Sequence, residues 1–457
     1  MILKMSVYRL KSAFLQQGWT RDAVVTVSDQ GFNAAIELAP PSTNSGRAIE
    51  TIDGVVVPGM PNAHSHAFQR AMAGAAEYRA STRDSFWTWR EAMYALANRI
   101  EPEDLQVIAT QLFIEMLKAG YTSVAEFHYL HRPDGMLQAI DAAAHEAGIG
   151  LTLLPTLYQS SDFGARPLRA EQARFALDLD TFLRRIQDYS GSHRIGAAFH
   201  SLRAVPLDVL KEATHALHAM DPGMPVHIHV AEQALEVRSC LEATGRRPIE
   251  LLLDQGLITS HWCLVHATHA TPAELKAVAQ SGAVVCVSIS TEANLGDGFF
   301  DSSRWLAAKG RLCIGSDSQS TVSPTEELRW LEYQQRLKKR RRGVLAGKSE
   351  SHVGTRLWSE AAHTGAHALG NKAGSIAVGA RADWLVLDPA HPTMVGGGAE
   401  SALDHLIFAG ADAAIRDVMV AGQWVIKDRH HGIETHSSLR YAELMRRHNR
   451  VNLLTSR

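Results

Sequence analysis

Cysteine is scarce in this chain. Four of its 457 residues, Cys240, Cys263, Cys286 and Cys313, stand far apart with no C-x-x-C pair, so neither a thiolate zinc site nor a dithiol redox motif is expected. Three of them lie in apolar runs, where a free cysteine behaves as a small hydrophobe, and a reducing, cytoplasmic setting follows as the expectation. Net charge is scarce too. Lys and Arg total 46 against 48 Asp and Glu, and the balance of −2 offers no general attraction for nucleic acid or an anionic membrane, which leaves a small molecule as the expected partner. The opening residues, MILKMSVYRLKSAFLQQGW, interrupt their apolar positions with charge and lack a small-residue cleavage site, so they are read as neither a secretory signal nor a membrane span. Internal repeats and low-complexity segments are missing. The one dense cationic run, KKRRRG at 338–343, closes a predicted helix, where cations complement the macrodipole, and is read as solvated surface.

What the chain does have is alternation. Hydrophobic residues make up 46% and charged residues 21%, as in a soluble globular protein with ample core. Eight strand-like runs are expected: GVVVPG (54–59), YTSVAEF (121–127), GIGLTLLPTLY (148–158), RIGAAFHS (194–201), PVHIHVAE (225–232), WCLVHA (262–267), GAVVCVSI (282–289) and RLCIGSD (311–317). Helical patterns intervene, among them PEDLQVIATQLFIEMLKAG and TPAELKAVAQSG, the latter with Thr271 as cap, Pro272 in the first turn and Gly282 as the stop. Strand and helix in alternation predict an α/β fold, a TIM-type (β/α)8 barrel, with its active site at the C-terminal ends of the strands. The flanks read differently. DAVVTVSD and AAIELAP before the barrel, and GSIAVGARADWLVLD and IRDVMVAGQWVIKD after it, are Val-rich and broken by turns. We therefore expect a small β-sandwich domain from both chain ends, 1–57 and 374–457 with a terminal helix, around a barrel at 58–373.

Polar residues collect at the predicted strand ends. His64 and His66 follow the first run, His200 ends the fourth, His229 lies in the fifth, His266 ends the sixth and Asp317 ends the eighth. On an extended strand residues i and i+2 share a face, so His64 and His66 can aim two imidazoles at one point. All of these positions fall at the barrel mouth, which is the pattern of a metal site.

HSH after the first strand, HIHVAE on the fifth, VHATH on the sixth and GSDS on the eighth resemble the deaminase branch of the amidohydrolase superfamily. The resemblance covers essentially the whole chain. Many hydrolases of that superfamily hold two metals through a carboxylated lysine at the end of strand four. Here that strand ends AAFHSLR, with no lysine closer than Lys211, so a single ion is implied. The implied ligands of one Zn2+ per chain are His64, His66, His229 and Asp317, with room for a water. His227 is the competing ligand, two residues from His229 on the same face. By the same resemblance Asp317 is the base, His266 polarises or shares the proton, and Glu232 is the shuttle to the departing amine.

Six further segments, NAHSHAFQRAMAG, SFWTWREAMYALA, EFHYLH, HSLRAV, TEANLGDG and SPTEELRWLEYQQRL, are together similar to the formimidoylglutamate deiminase family of that branch. This implies hydrolysis of a linear amidine on a dicarboxylate skeleton, a step of histidine degradation. Arg203 is placed to fork onto one substrate carboxylate. Gln69, Tyr129 and His200 are implied as further substrate contacts. Arg90 is implied for the second carboxylate, in its own site or across a homodimer. The chain departs from the family at Gln319, where a histidine often follows GSDS, and in the polar character of SISTEANLG. Two other readings stay open: a deaminase of a guanine- or cytosine-like heterocycle, with aromatic stacking in place of the arginines, and a non-catalytic barrel scaffold, in which metal ligands would be missing.

Overall fold

The computed structural model describes residues 5–38, 48–75, 77, 86–410 and 412–455. Parts of three sequence segments discussed above lie outside the described residues: Met1 to Lys4 of the opening stretch, Ala39 and Pro40 of AAIELAP, and Ser85 of SFWTWRE.

The barrel strands run Met60–Ser65, Tyr121–His128, Gly150–Leu157, a fourth split into Arg194–Ile195 and Ala197–Phe199, then Val226–Val230, Trp262–His266, Val284–Val287 and Arg311–Ile314. They pair in parallel in that order. Most are buried along their whole length, as strands covered on both faces are. The ring is closed by a single bridge between Ser65 and Asp317. Around it the amides of Ser316 and Asp317 both donate to the His64 carbonyl at 3.0 Å, and the His66 amide donates to the Asp317 carbonyl at 3.1 Å. Gly315 allows this approach, since a Cβ there would lie 2.7 Å from the Cβ of His64.

The small domain is one hydrogen-bonded sheet with a core of its own. It takes Ser6–Leu15, Gly18–Val27, Asn33–Leu38 and Ile49–Pro58 from the start of the chain. Trp384–Leu387, Ile415–Val420, Gln423–Lys427 and His430–His431 come from the end. Tyr8, Leu10, Val25, Val56, Trp384 and Met419 pack inside it. This corrects the placement of GVVVPG. Val55 to Pro58 pair antiparallel with Trp384–Leu387, and Val55 and Val56 pair with Ser12 and Ala13, so the run belongs to the small sheet. The barrel starts after it, at Met60, and His64 lies within the first strand. Three valines between glycines suit either sheet, and the partners that decide come from the far end of the chain.

The predicted helices form as their signals direct. Pro102–Ala119 stops at a left-handed Gly120, and Pro272–Ser281 is capped by the Thr271 hydroxyl, which accepts from the Glu274 amide at 3.2 Å. The cationic run is exposed at the end of Pro324–Lys339. The terminal helix Glu434–Thr455 packs on Pro102–Ala119, with the Ser437 hydroxyl donating to Gln111 Oε1 at 2.9 Å. Cys263, Cys286 and Cys313, far apart in sequence, meet on three consecutive barrel strands with their sulfurs within 4.8 Å of one another, a proximity that sequence spacing hides.

Gly59 hands the chain from one sheet to the other. Its amide donates to the Asp383 carbonyl at 3.0 Å, and a Cβ would stand 2.2 Å from Thr122 Cγ2. Gly59→Ala is expected to destabilise the fold by about 1–3 kcal/mol through overpacking. The measurement is a urea unfolding midpoint at unchanged slope, and an unaltered midpoint would mean that Thr122 yields freely.

Candidate metal centre and active site

Each of His64, His66, His229 and Asp317 presents one donor atom, and the four atoms lie within 4.8 Å of one another, all buried. His229 Nε2 is 3.0 Å from His64 Nε2 and 3.3 Å from His66 Nε2. Asp317 Oδ1 is 3.4 Å from Nε2 of both His64 and His66. A tetrahedral ion with metal–nitrogen bonds of about 2.0–2.1 Å sets its donors roughly 3.3 Å apart, the spacing found here.

Ring tautomers support the same reading. His66 Nδ1 donates to the Phe127 carbonyl at 2.9 Å and His229 Nδ1 to the His200 carbonyl at 2.8 Å. Carbonyls only accept, so both Nε2 atoms carry lone pairs. Burial holds His66 down at about 3 and His64 and His229 below the usual imidazole range, so the rings are neutral donors. Facing lone pairs repel unless a cation lies between them, and the donor set fits one.

The backbone around these ligands is tied down from several sides. Asn62 Nδ2 donates to the Ser316 hydroxyl at 2.6 Å, while its Oδ1 accepts from the Ser316 amide at 3.1 Å and the His64 amide at 3.3 Å. Ala231, His266, Ala267, Asp317 and Gln319 all take left-handed φ between 47° and 70°, so strands five, six and eight end in sharp turns at the mouth. Gln319 turns away from the cavity. Its Nε2 donates to the Ser65 hydroxyl at 3.0 Å and the Asp317 carbonyl at 2.8 Å, and Ser65 in turn donates to Glu126 Oε2 at 2.6 Å.

Three titratable groups stand beside the centre. Burial pushes Asp317 up, but the imidazoles of His64, His266 and His66 hold it well below the usual carboxylate range. Burial lifts Glu232 to about 7. His266 Nε2 lies 3.7 Å from both Glu232 Oε1 and Asp317 Oδ2. Burial opposes its charge, yet Glu232, Glu292 and Asp317 raise its pKa well above the usual value. Two carboxylates that sequence reasoning missed support this trio. Glu236 accepts the amides of Ala231 and Glu232, each at 3.0 Å, and so fixes the turn that carries Glu232. Glu292 Oε1 lies 3.3 Å from His266 Nδ1. The signals were present, one inside TEANLG and the other four residues past Glu232, where a helix begins.

One cavity gathers all the expected substrate residues. Gln69, Arg90, Tyr129, His200 and Arg203 line it together with Glu232, His266 and Asp317. Gln69 Nε2 donates to the Tyr129 hydroxyl at 2.7 Å, and the His200 ring lies 5.1 Å from that of His229. Arg90, on helix Phe86–Ala97, faces the cavity of its own chain with its guanidinium 5.5 Å from the Tyr94 ring centre. Tyr94, Tyr158 and Trp89 line the same space and were not expected. His227 does not join the metal cluster: its Nε2 donates to the Ala368 carbonyl at 2.8 Å, one layer below in the barrel.

A parallel barrel with three histidines and an aspartate converging at its mouth, inside a sheet built from both chain ends, is the architecture of a metal-dependent hydrolase. The chain belongs to the amidohydrolase family, whose family model matches residues 55–425. It is 47% identical over 455 residues to the formimidoylglutamate deiminase of Pseudomonas aeruginosa strain PAO1, across 96% of this chain and 99% of that protein. An amidohydrolase from Brucella melitensis superposes with a TM-score of 0.88 at 38% identity, covering 96% of this chain and 99% of that one. An adenosine deaminase from Xanthomonas campestris with bound zinc shares the fold, with a TM-score of 0.79 at 22% identity over 97% of this chain and 98% of that one.

The ligand set is directly testable. Purified protein is expected to carry one divalent ion per chain, to lose it in His229→Ala and to keep it in His227→Gln. Elemental analysis giving two ions per chain, or a metal-free His227→Gln, would overturn the assignment.

Proposed function

We propose that this hydrolase deaminates N-formimidoyl-L-glutamate to N-formyl-L-glutamate and ammonia, as a step of histidine degradation. The observation that carries the reading is the make-up of one cavity: two arginines, Arg90 and Arg203, share it with the carboxylates of Glu232 and Asp317. The substrate has the matching polarity, with a cationic amidine at one end and two carboxylates at the other. Arg203 and Arg90 take the carboxylates, and Gln69, Tyr129 and His200 donate or accept further hydrogen bonds. Zn2+ suits three neutral imidazoles and a carboxylate. When bound, it supplies Lewis acidity and lowers the pKa of a water.

The chain's own groups move the protons. Asp317, held ionised, accepts a proton from the attacking water as its oxygen bonds to the amidine carbon. Glu232, poised near neutrality, hands a proton to the substrate nitrogen; as the C–N bond breaks and ammonia leaves, the hydroxyl oxygen becomes the formyl carbonyl and returns its proton to the Glu232 carboxylate. His266, between the two carboxylates, donates to the developing negative charge on oxygen. Proton transfers of this kind contribute about 10²–10⁴-fold each. Tyr94, Tyr129 and Tyr158 also line the cavity, which keeps a planar heterocycle as the second reading. The four cysteines are free and buried, which fits a reducing, cytoplasmic setting, and no helix among the described residues is long and apolar enough to cross a membrane.

Ammonia release from N-formimidoyl-L-glutamate, set against guanine and cytosine, tests the reading. Glu232→Gln is expected to lower turnover by orders of magnitude at normal metal content, and retained turnover would assign both transfers to Asp317 and His266. Arg203→Met is expected to reduce kcat/KM by about 2–5 kcal/mol, the usual loss on truncating one partner of a buried charge pair. A change below about threefold, under 1 kcal/mol, would reject the dicarboxylate and promote the heterocycle.

A further inference from the structure

The seventh strand runs directly into a short helix, Ile289–Leu295, whose Glu292 side chain is fully buried. Glu292 Oε1 accepts the Ser288 amide at 3.0 Å, which fixes the carboxylate against its own turn. The same oxygen is 3.3 Å from His266 Nδ1. His266 itself sits at a left-handed φ of 70°, at the sharp end of its strand. With Glu292 Oε1 serving as acceptor, Nδ1–H of His266 points to Glu292, and Nε2 is the atom aimed between Asp317 and Glu232, 3.7 Å from each.

We infer that Glu292 is a positioning residue that acts through His266: by accepting a hydrogen bond from Nδ1 it fixes the rotation of the ring and turns the Nε2–H toward the reacting atoms. This rests on the reading above, in which His266 touches the reaction. Glu292 is absent from the cavity lining, so it has no direct route to substrate. The arrangement follows a general rule: an imidazole that does chemistry at one nitrogen is oriented by a carboxylate at the other.

The test is a double-mutant cycle with a rescue. Glu292→Met, close to glutamate in shape, is expected to lower kcat by about 10–100-fold, the range for loss of such an outer partner. KM should stay within about threefold and metal content unchanged. Glu292→Gln keeps an acceptor oxygen and is expected to recover at least tenfold of that loss. In a His266→Asn background Glu292→Met should change kcat by less than about threefold, because the ring it acts through is gone. Equal losses in both backgrounds, or equal losses for Met and Gln, would overturn the inference and leave Glu292 a general packing residue. The readout independent of substrate is the crystal structure of Glu292→Met, where the His266 ring is expected to have turned; an unmoved ring would also overturn it. Failure of the wild-type enzyme to release ammonia from N-formimidoyl-L-glutamate would count against the proposed substrate alone, since ring orientation does not depend on it.

Discussion

The seam between the first and last barrel strands is the constraint on which the rest depends. Arg311–Ile314 forms a ladder with Val284–Val287 but none with Met60–Ser65, and the seam is joined by a few peptide groups at His64, Ser65, His66, Ser316 and Asp317. Three of the four candidate metal donors belong to this stretch. Closing the barrel and setting the distances between His64, His66 and Asp317 are therefore one event. Asn62 reinforces it with hydrogen bonds to both sides of the seam. An ion held by donors from both strands binds only the closed form, and ligand that binds only the native state stabilises it by mass action.

Above the seam, one environment drives similar side chains to different protonation states. Asp317 is held ionised by its imidazole neighbours. Asp297 is pushed up to about 9 by burial and by Glu232, and so stays protonated at neutral pH. Glu232, at about 7, lies between them and is the carboxyl able both to give and to take a proton near neutrality. Groups whose surroundings separate their pKa values in this way divide the acid and base roles. What sets the three apart is local: Asp317 touches histidines, Asp297 is buried in the field of Glu232, Glu292 and Asp317 with the Gln233 side-chain amide donating to it, and Glu232 faces His266 on one side and acids on the other.

Much of this was legible in the sequence, and the parts that were not have a common cause. Period, caps and turn residues are local signals, and they yielded the barrel, the helix capped by Thr271 and Gly282, and the histidines at strand ends. His229 could be separated from His227 only by resemblance, because alternation puts both on one face and the depth of each along the barrel depends on how far its strand is staggered. GVVVPG was misplaced because its partners, Ser12, Ala13 and Trp384–Leu387, are remote in sequence. The cysteine cluster stayed hidden for the same reason. Glu236 and Glu292 escaped notice because a carboxylate that clamps a neighbour's backbone or ring has the same letter as one on a wet surface.

The cavity's far end follows a different logic from its metal end. Barrel strands fix the candidate metal donors, whereas the arginines sit on the loop after strand four and on helix Phe86–Ala97, elements that a barrel can vary without altering its ring. Ser160 anchors the first of these, its hydroxyl donating to the Arg203 carbonyl at 2.9 Å. Burial depresses the Arg90 pKa, and the charge of Arg203 adds to the depression. Both guanidiniums line one cavity, so a ligand with two carboxylates can engage both, whereas a monoanion can engage one. Under the proposed function, the pairing of Arg90 with Arg203 in one cavity is thus a selector for a dianionic substrate tail, and the acids at the opposite end select the cationic amidine head.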